Sequence, residues 1–242
     1  MWWAPRRPDW WVALLFAVGS ICFALGATPM YASAVGIQAD DVTYFVGSLF
    51  FTSAAFLQLL LSCGVVPVMT RPLAGVRWRT LVRAPHRPEW WASIVQFSGT
   101  LLFNVSTFAA MHQALTTTQQ ERRIWAPDAL GSIAFLVASA LAYADVERPW
   151  VTWRPRDLNW SVATLNMVGS LAFGASAIAA YVVPTTGDLR NAQVANAGTW
   201  IGAVCFFLGA VLLVPDQAES AGPVSDPDRG RTVASPGQRD DG

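Results

Sequence analysis

Four side-chain amides, Gln58, Gln96, Asn104 and Asn166, stand inside long apolar stretches of the chain. An amide offers one acceptor and one donor group without a charge, so it can hydrogen-bond inside a membrane where an ion would be costly. Gln96 and Asn166 each lie three residues before a glycine, Gly99 and Gly169, and Phe16 holds the same place before Gly19. Gln58 follows Gly47 by eleven residues. These spacings put Gln58, Gln96 and Asn166 on the helix face that carries the glycines, toward a bundle interior, while Asn104 falls nearer mid-depth. Two chemistries suit them. They can cross-link helices by hydrogen bonds worth roughly 0.6–2 kcal/mol each. They can also line a hydrated path or pocket for a small neutral or weakly polar solute.

A second polar set, Asp40, Asp41, His112, Glu121, Asp128 and Asp188, belongs to the far ends of the same stretches. It shows no ligand spacing for a metal, and Asp128 after Pro127 reads as the cap of a helix start. Cys22, Cys63 and Cys205 sit in or beside apolar segments with no metal-type spacing, and read as small packing residues. No nucleophile elbow, phosphate loop or His-Glu-x-x-His occurs, and the deep parts of the apolar segments carry no Asp, Glu, Arg or Lys. The expectation is a protein that is not an enzyme, with no cofactor and no metal. A formal charge of zero points away from nucleic acid.

The elements that must position these groups are membrane helices. Of 242 residues, 53% are hydrophobic and 13% charged. Six segments, near 10–29, 43–64, 90–112, 128–146, 159–183 and 196–214, approach the roughly twenty apolar residues that cross a hydrocarbon core of about 30 Å. All sixteen basic residues are arginine; thirteen fall at the N-terminus, the even-numbered loops and the C-terminus, and three (Arg122, Arg123 and Arg190) in the other loops. That asymmetry predicts a multi-pass protein of a bacterial cytoplasmic membrane with both termini in the cytoplasm. Arg6 and Arg7 ahead of an apolar run and Ala32-Ser33-Ala34 imitate a signal peptide, but the repeat described next argues against cleavage.

The words Ala4-Pro5-Arg6-Arg7-Pro8-Asp9-Trp10-Trp11 and Ala84-Pro85-His86-Arg87-Pro88-Glu89-Trp90-Trp91 agree at six of eight positions, with a weaker copy from Pro155 through Asn159 and Trp160. Proline suits a helix start, the acid or amide can meet free N–H groups, and Arg7, Arg87, Trp10, Trp11, Trp90, Trp91 and Trp160 read as headgroup-level anchors. Each word launches a pair of segments. The organisation is therefore an N-terminus over 1–9, hairpin one over 10–64, a basic loop over 65–89, hairpin two over 90–147, a loop over 148–158, hairpin three over 159–214 and a disordered tail over 215–242. All six helices repeat a glycine, a small residue, a phenylalanine at +4 and a small residue at +7. The pairs are Gly19 with Phe23, Gly47 with Phe51, Gly99 with Phe103, Gly131 with Phe135, Gly169 with Phe173 and Gly202 with Phe206. Lipid supplies no hydrophobic force between helices, so such a stripe is a helix-packing signature. It predicts an all-α bundle of six spans, three hairpins around a pseudo-threefold axis.

The Gly-Ser-x-x-Phe helices, together with Asn196-Ala197-Gly198-Thr199-Trp200-Ile201-Gly202-Ala203 and Phe206, resemble the YrhK-like family of small bacterial membrane proteins. The Lys-free composition and three-hairpin length are similar to an uncharacterised group of actinobacterial integral membrane proteins. The resemblance implies topology and no activity. Two functional expectations follow: a non-catalytic bundle that associates with lipid, including anionic headgroups at the cytoplasmic face, or with itself or another membrane protein; and a facilitator or channel for a small solute.

Overall fold

The structure, a computed structural model, describes residues 3–64, 88–112, 115–146 and 154–219. Within them the chain is helical, with no named strand. Hairpin one comprises α1 (Pro8–Gly26), the short α2 (Pro29–Val35) at its turn and α3 (Ile37–Ser62). Hairpin two comprises α4 (Pro88–Ala110), α5 (Thr117–Gln120), a π-helical turn (Glu121–Trp125) and α6 (Ala126–Val146). Hairpin three comprises α7 (Leu158–Ala179) and α8 (Ala192–Glu219). The six long helices close a ring in the order α1, α3, α4, α6, α7, α8 and back to α1.

Helix ends depart from the apolar segments in both directions: the first, third and fifth long helices stop at Gly26, Ala110 and Ala179, short of 29, 112 and 183. The second long helix begins at Ile37 instead of 43, and the last begins at Ala192, where the Asn191 side chain accepts the Val194 N–H at 3.0 Å. The fourth is helical from Thr117, closed by a capping box in which Thr116 and Gln119 exchange bonds. Asp128 is therefore not a cap; it lies well inside a continuous helical rod. The π-helical turn makes this possible. Ala126 N–H donates to Glu121 O five residues back, and the widened turn precedes Pro127, which has no N–H to give. The last helix also passes its expected end at 214 and reaches Glu219. Residues 220–242 of the tail, and residues 65–87 of the basic loop with Arg87, lie outside the described residues.

Five stretches are long and apolar enough to cross a membrane: Pro8–Gly26, Ile37–Ser62, Thr117–Asp145, Leu158–Ala179 and Ala192–Val214. The exterior of the ring is aliphatic, with Ile21, Leu101, Ile133, Leu171 and Ile201 all exposed. An apolar outside is what lipid requires, and the chain is compatible with an integral membrane protein. The helix missing from the five is α4, whose Gln96, Asn104 and run of Ser and Thr dilute its apolar residues.

Within each hairpin the two stripe glycines face each other and each opens a notch for the other helix's phenylalanine. A methyl group on Gly47 would press on Phe23 and come within 3.2 Å of Gly19 O; one on Gly19 would lie 2.6 Å from Phe51. Gly99 and Gly131 exchange the same contacts with Phe135 and Phe103, and Gly169 and Gly202 with Phe206 and Phe173. Two of the three seams between hairpins carry a hydroxyl pair. The hydroxyls of Ser48 (α3) and Thr107 (α4) share a bond of 3.0 Å, and those of Ser139 (α6) and Ser170 (α7) one of 2.8 Å.

Candidate functional site

The six stripe phenylalanines meet on the ring's axis. Phe23, Phe103 and Phe173, from the first helix of each hairpin, form one triangle with centroids 6.1–6.4 Å apart. Phe51, Phe135 and Phe206, from the second helices, form another at 5.7–6.1 Å. The triangles stack, each ring 5.3–5.4 Å from its hairpin partner. Every one of these rings is buried, Phe135 to 1% exposure. Edge and tilted contacts of this kind add about 0.5–1.5 kcal/mol per pair beyond area burial. The result is a buried aromatic plug.

A cavity lies on each side of the plug, and the two share no lining residue. The one at the terminal end, near the start of α1, encloses about 440 Å³. Gln58, Gln96 and Asn166 all line it, with Ser93, Ser139 and, against the plug, Phe206. Asp9, Glu89 and Asp145 stand at its mouth, in the outermost turns of α1, α4 and α6. Gln58 Oε1 is buried with no hydrogen-bond partner, an acceptor left open inside the protein. Asn166 fits beside Gly209, where an added methyl would lie 3.2 Å from Asn166 Oδ1, and the Asn166 main-chain carbonyl accepts from the Ser139 hydroxyl at 3.3 Å. Asn104 does not join them. It lines neither cavity, and its Oδ1 is buried without a partner.

At the turn end a cavity of about 350 Å³ rests on Phe23, Phe103 and Phe173. Asp41, Tyr44, Trp125, Asp128, Ser132 and Thr199 form part of its wall. Tyr44 reaches in because Gly26 is bare: a methyl there would lie 2.6 Å from the Tyr44 ring. Trp125 closes the π-helical turn, donates from Nε1 to Ala177 O at 2.9 Å and stacks edge-on with Tyr181 at 4.9 Å. The α7–α8 connection folds over this end through an isolated bridge between Val182 and Leu189, both of which line the cavity.

Sequence reasoning named Asp41 and Asp128 without bringing them together, and passed over Tyr44 and Trp125. The available signal was the +7 place of the stripe: Ser106 and Ser176 line this cavity, and Gly26 makes the room for Tyr44. Of the remaining polar residues, Asp40 stands near Tyr44 with its Oδ1 buried and without a hydrogen-bond partner. His112 packs on Phe108 at 5.3 Å, and no group of three or more His, Cys, Asp or Glu able to hold a metal occurs among the described residues.

The repeated Trp words divide by exposure. Trp10 and Trp160 are buried at 6% and 7%, which leaves them little surface with which to meet headgroups. Trp91 is 48% exposed, and Trp11 pins the chain before α1 by donating from Nε1 to Pro5 O at 2.9 Å. Arg7 pairs with Asp9 at 3.7 Å. The third helix pair is capped by Asp157, which accepts from Asn159 N and Trp160 N at 3.0 and 3.3 Å, and not by Asn159.

These features define a helical bundle, compatible with a membrane, with two cavities parted by aromatic side chains. Comparison with protein-family models, with curated proteins and with solved structures finds no match for this chain.

Proposed function

We propose that this protein is a six-span bundle of a bacterial cytoplasmic membrane, three hairpins in pseudo-threefold array, that passes a small polar solute through its centre. The convergence of Gln58, Gln96 and Asn166 on one cavity against the plug carries the reading. Uncharged amides can exchange hydrogen bonds with a neutral solute at little desolvation cost. The double triangle is a dry constriction, of the kind that closes a pore by excluding water, and must part for passage.

The count of six spans rests on α4, which holds Gly99 and Phe103 in the same reciprocal packing as the other five and completes the ring. Thirteen arginines against three support cytoplasmic termini. The Gly-Ser words support a kinship with YrhK-like hairpins.

Stopped-flow swelling of proteoliposomes in glycerol, urea and erythritol tests the reading. The parent protein should speed swelling for at least one of these, and Gln96→Leu with Asn166→Leu should cut that rate tenfold or more while the bundle stays folded and monodisperse. Swelling no faster than in protein-free vesicles, or unchanged in the double variant, sinks it. The bundle that associates with lipid or a partner protein would then be the better account.

A further inference from the structure

The turn-end cavity has a chemistry of its own. Its wall carries two carboxylates, Asp41 and Asp128, and neither Arg nor Lys. No cation pairs with Asp128 among the described residues. A carboxylate held in a partly enclosed, largely apolar recess is costly unless a positive group joins it. The same recess is floored by Phe23, Phe103 and Phe173 and walled by Tyr44 and Trp125, whose ring faces attract cations. Hydroxyls of Ser132 and Thr199 add hydrogen-bonding groups at the wall. Trp125 is braced from two sides and ends the π-helical turn, an irregularity that concentrates at functional sites. A volume of about 350 Å³ suits a ligand of modest size.

We propose that this cavity binds a small organic cation, its ammonium group held by Asp41 and Asp128 and its hydrocarbon part resting on the phenylalanine floor. The ammonium group can belong to a soluble amine or to a lipid headgroup. The site is separate from the amide-lined cavity, and its occupancy does not depend on flux through the plug.

Titration of the full chain in phosphatidylglycerol nanodiscs with 2-phenylethylamine, 2-phenylethanol and phenylacetate tests the charge requirement at constant ring size. With protein-free discs subtracted, the amine should show saturable binding by calorimetry and tryptophan fluorescence. It should bind at least tenfold tighter than the alcohol, with no binding of the carboxylate. Asp128→Asn should weaken the amine tenfold or more, and Asp41→Asn should weaken it too. Equal binding of amine and alcohol, absence of saturable amine binding, or an Asp128→Asn variant that binds like the parent would overturn the proposal. The three-probe comparison uses unaltered protein, so a variant that fails to fold does not blunt it. Phosphatidylethanolamine added to the discs distinguishes the sources: competition assigns the ammonium to a lipid headgroup, and no competition assigns it to a soluble amine.

Discussion

The two cavities are close in size and differ in what lies against the plug: amides on one side, carboxylates and aromatic rings on the other. At the terminal end, three amides are set by the regular helices α3, α4 and α7. At the turn end, the carboxylates and aromatic rings are set by irregular pieces: a π-helical turn, a bare glycine beside Tyr44, and a bridged loop. In the reading proposed above, the amides serve a neutral solute and the irregular end serves a cation. Helix pairs that share one packing arrangement can thus carry distinct chemistry at their two ends.

The sharpest way to break the comparison is to remove the partition. Phe135 is 1% exposed and touches Phe51, Phe103 and Phe206. Phe135→Ala should cost about 3–5 kcal/mol of stability by the usual large-to-small arithmetic. If the protein survives, it should let the two cavities communicate. Thermal unfolding in detergent measures the first effect, and proton leak in proteoliposomes the second. A tight, fully stable variant would show that the plug is not the barrier.

A smaller effect is expected at the glycine notches. A methyl on Gly202 would lie 2.6 Å from the Phe173 ring, whereas one on Gly174 meets nothing within 4 Å. Gly202→Ala should destabilise by about 1–3 kcal/mol through overpacking and disturb the turn-end floor. Gly174→Ala should be neutral or stabilise by up to about 1 kcal/mol through helix propensity. Paired melting curves in one detergent decide it, and equal shifts would refute the notch.

The mildest test touches one end alone. Trp125→Phe removes the bond to Ala177 O, worth about 1 kcal/mol. It should weaken amine binding at the turn end, measured by calorimetry in nanodiscs. Binding equal to the parent's would mean that Trp125 does not shape the site.

Much of the bundle was legible because its packing code is short-range and periodic. Gly, Phe and a small residue at spacings of four and three mark one helix face, and that face does meet its partner's in each hairpin. Gln58, Gln96 and Asn166 could be grouped for the same reason: their register to the glycine places them on that face. Asn104 shares no such register and stands apart. The turn-end cavity was harder to see. Pro127-Asp128 looks like a helix start, and only a π-helical turn, which has no simple sequence signal, keeps the rod continuous and brings Asp128 inward. Trp10 and Trp160 were read as anchors from type and position, but the direction in which a tryptophan points depends on the neighbouring helix, which a linear reading does not supply.

The reciprocal notches have a consequence for assembly. Each hairpin holds its own glycine–phenylalanine exchange, while the hairpins meet one another through the phenylalanine triangles and, at two of the three seams, a hydroxyl pair. The hairpin is therefore a natural fragment. A chain severed between α3 and α4, its pieces produced separately in one membrane, has the contacts it needs for the pieces to find each other.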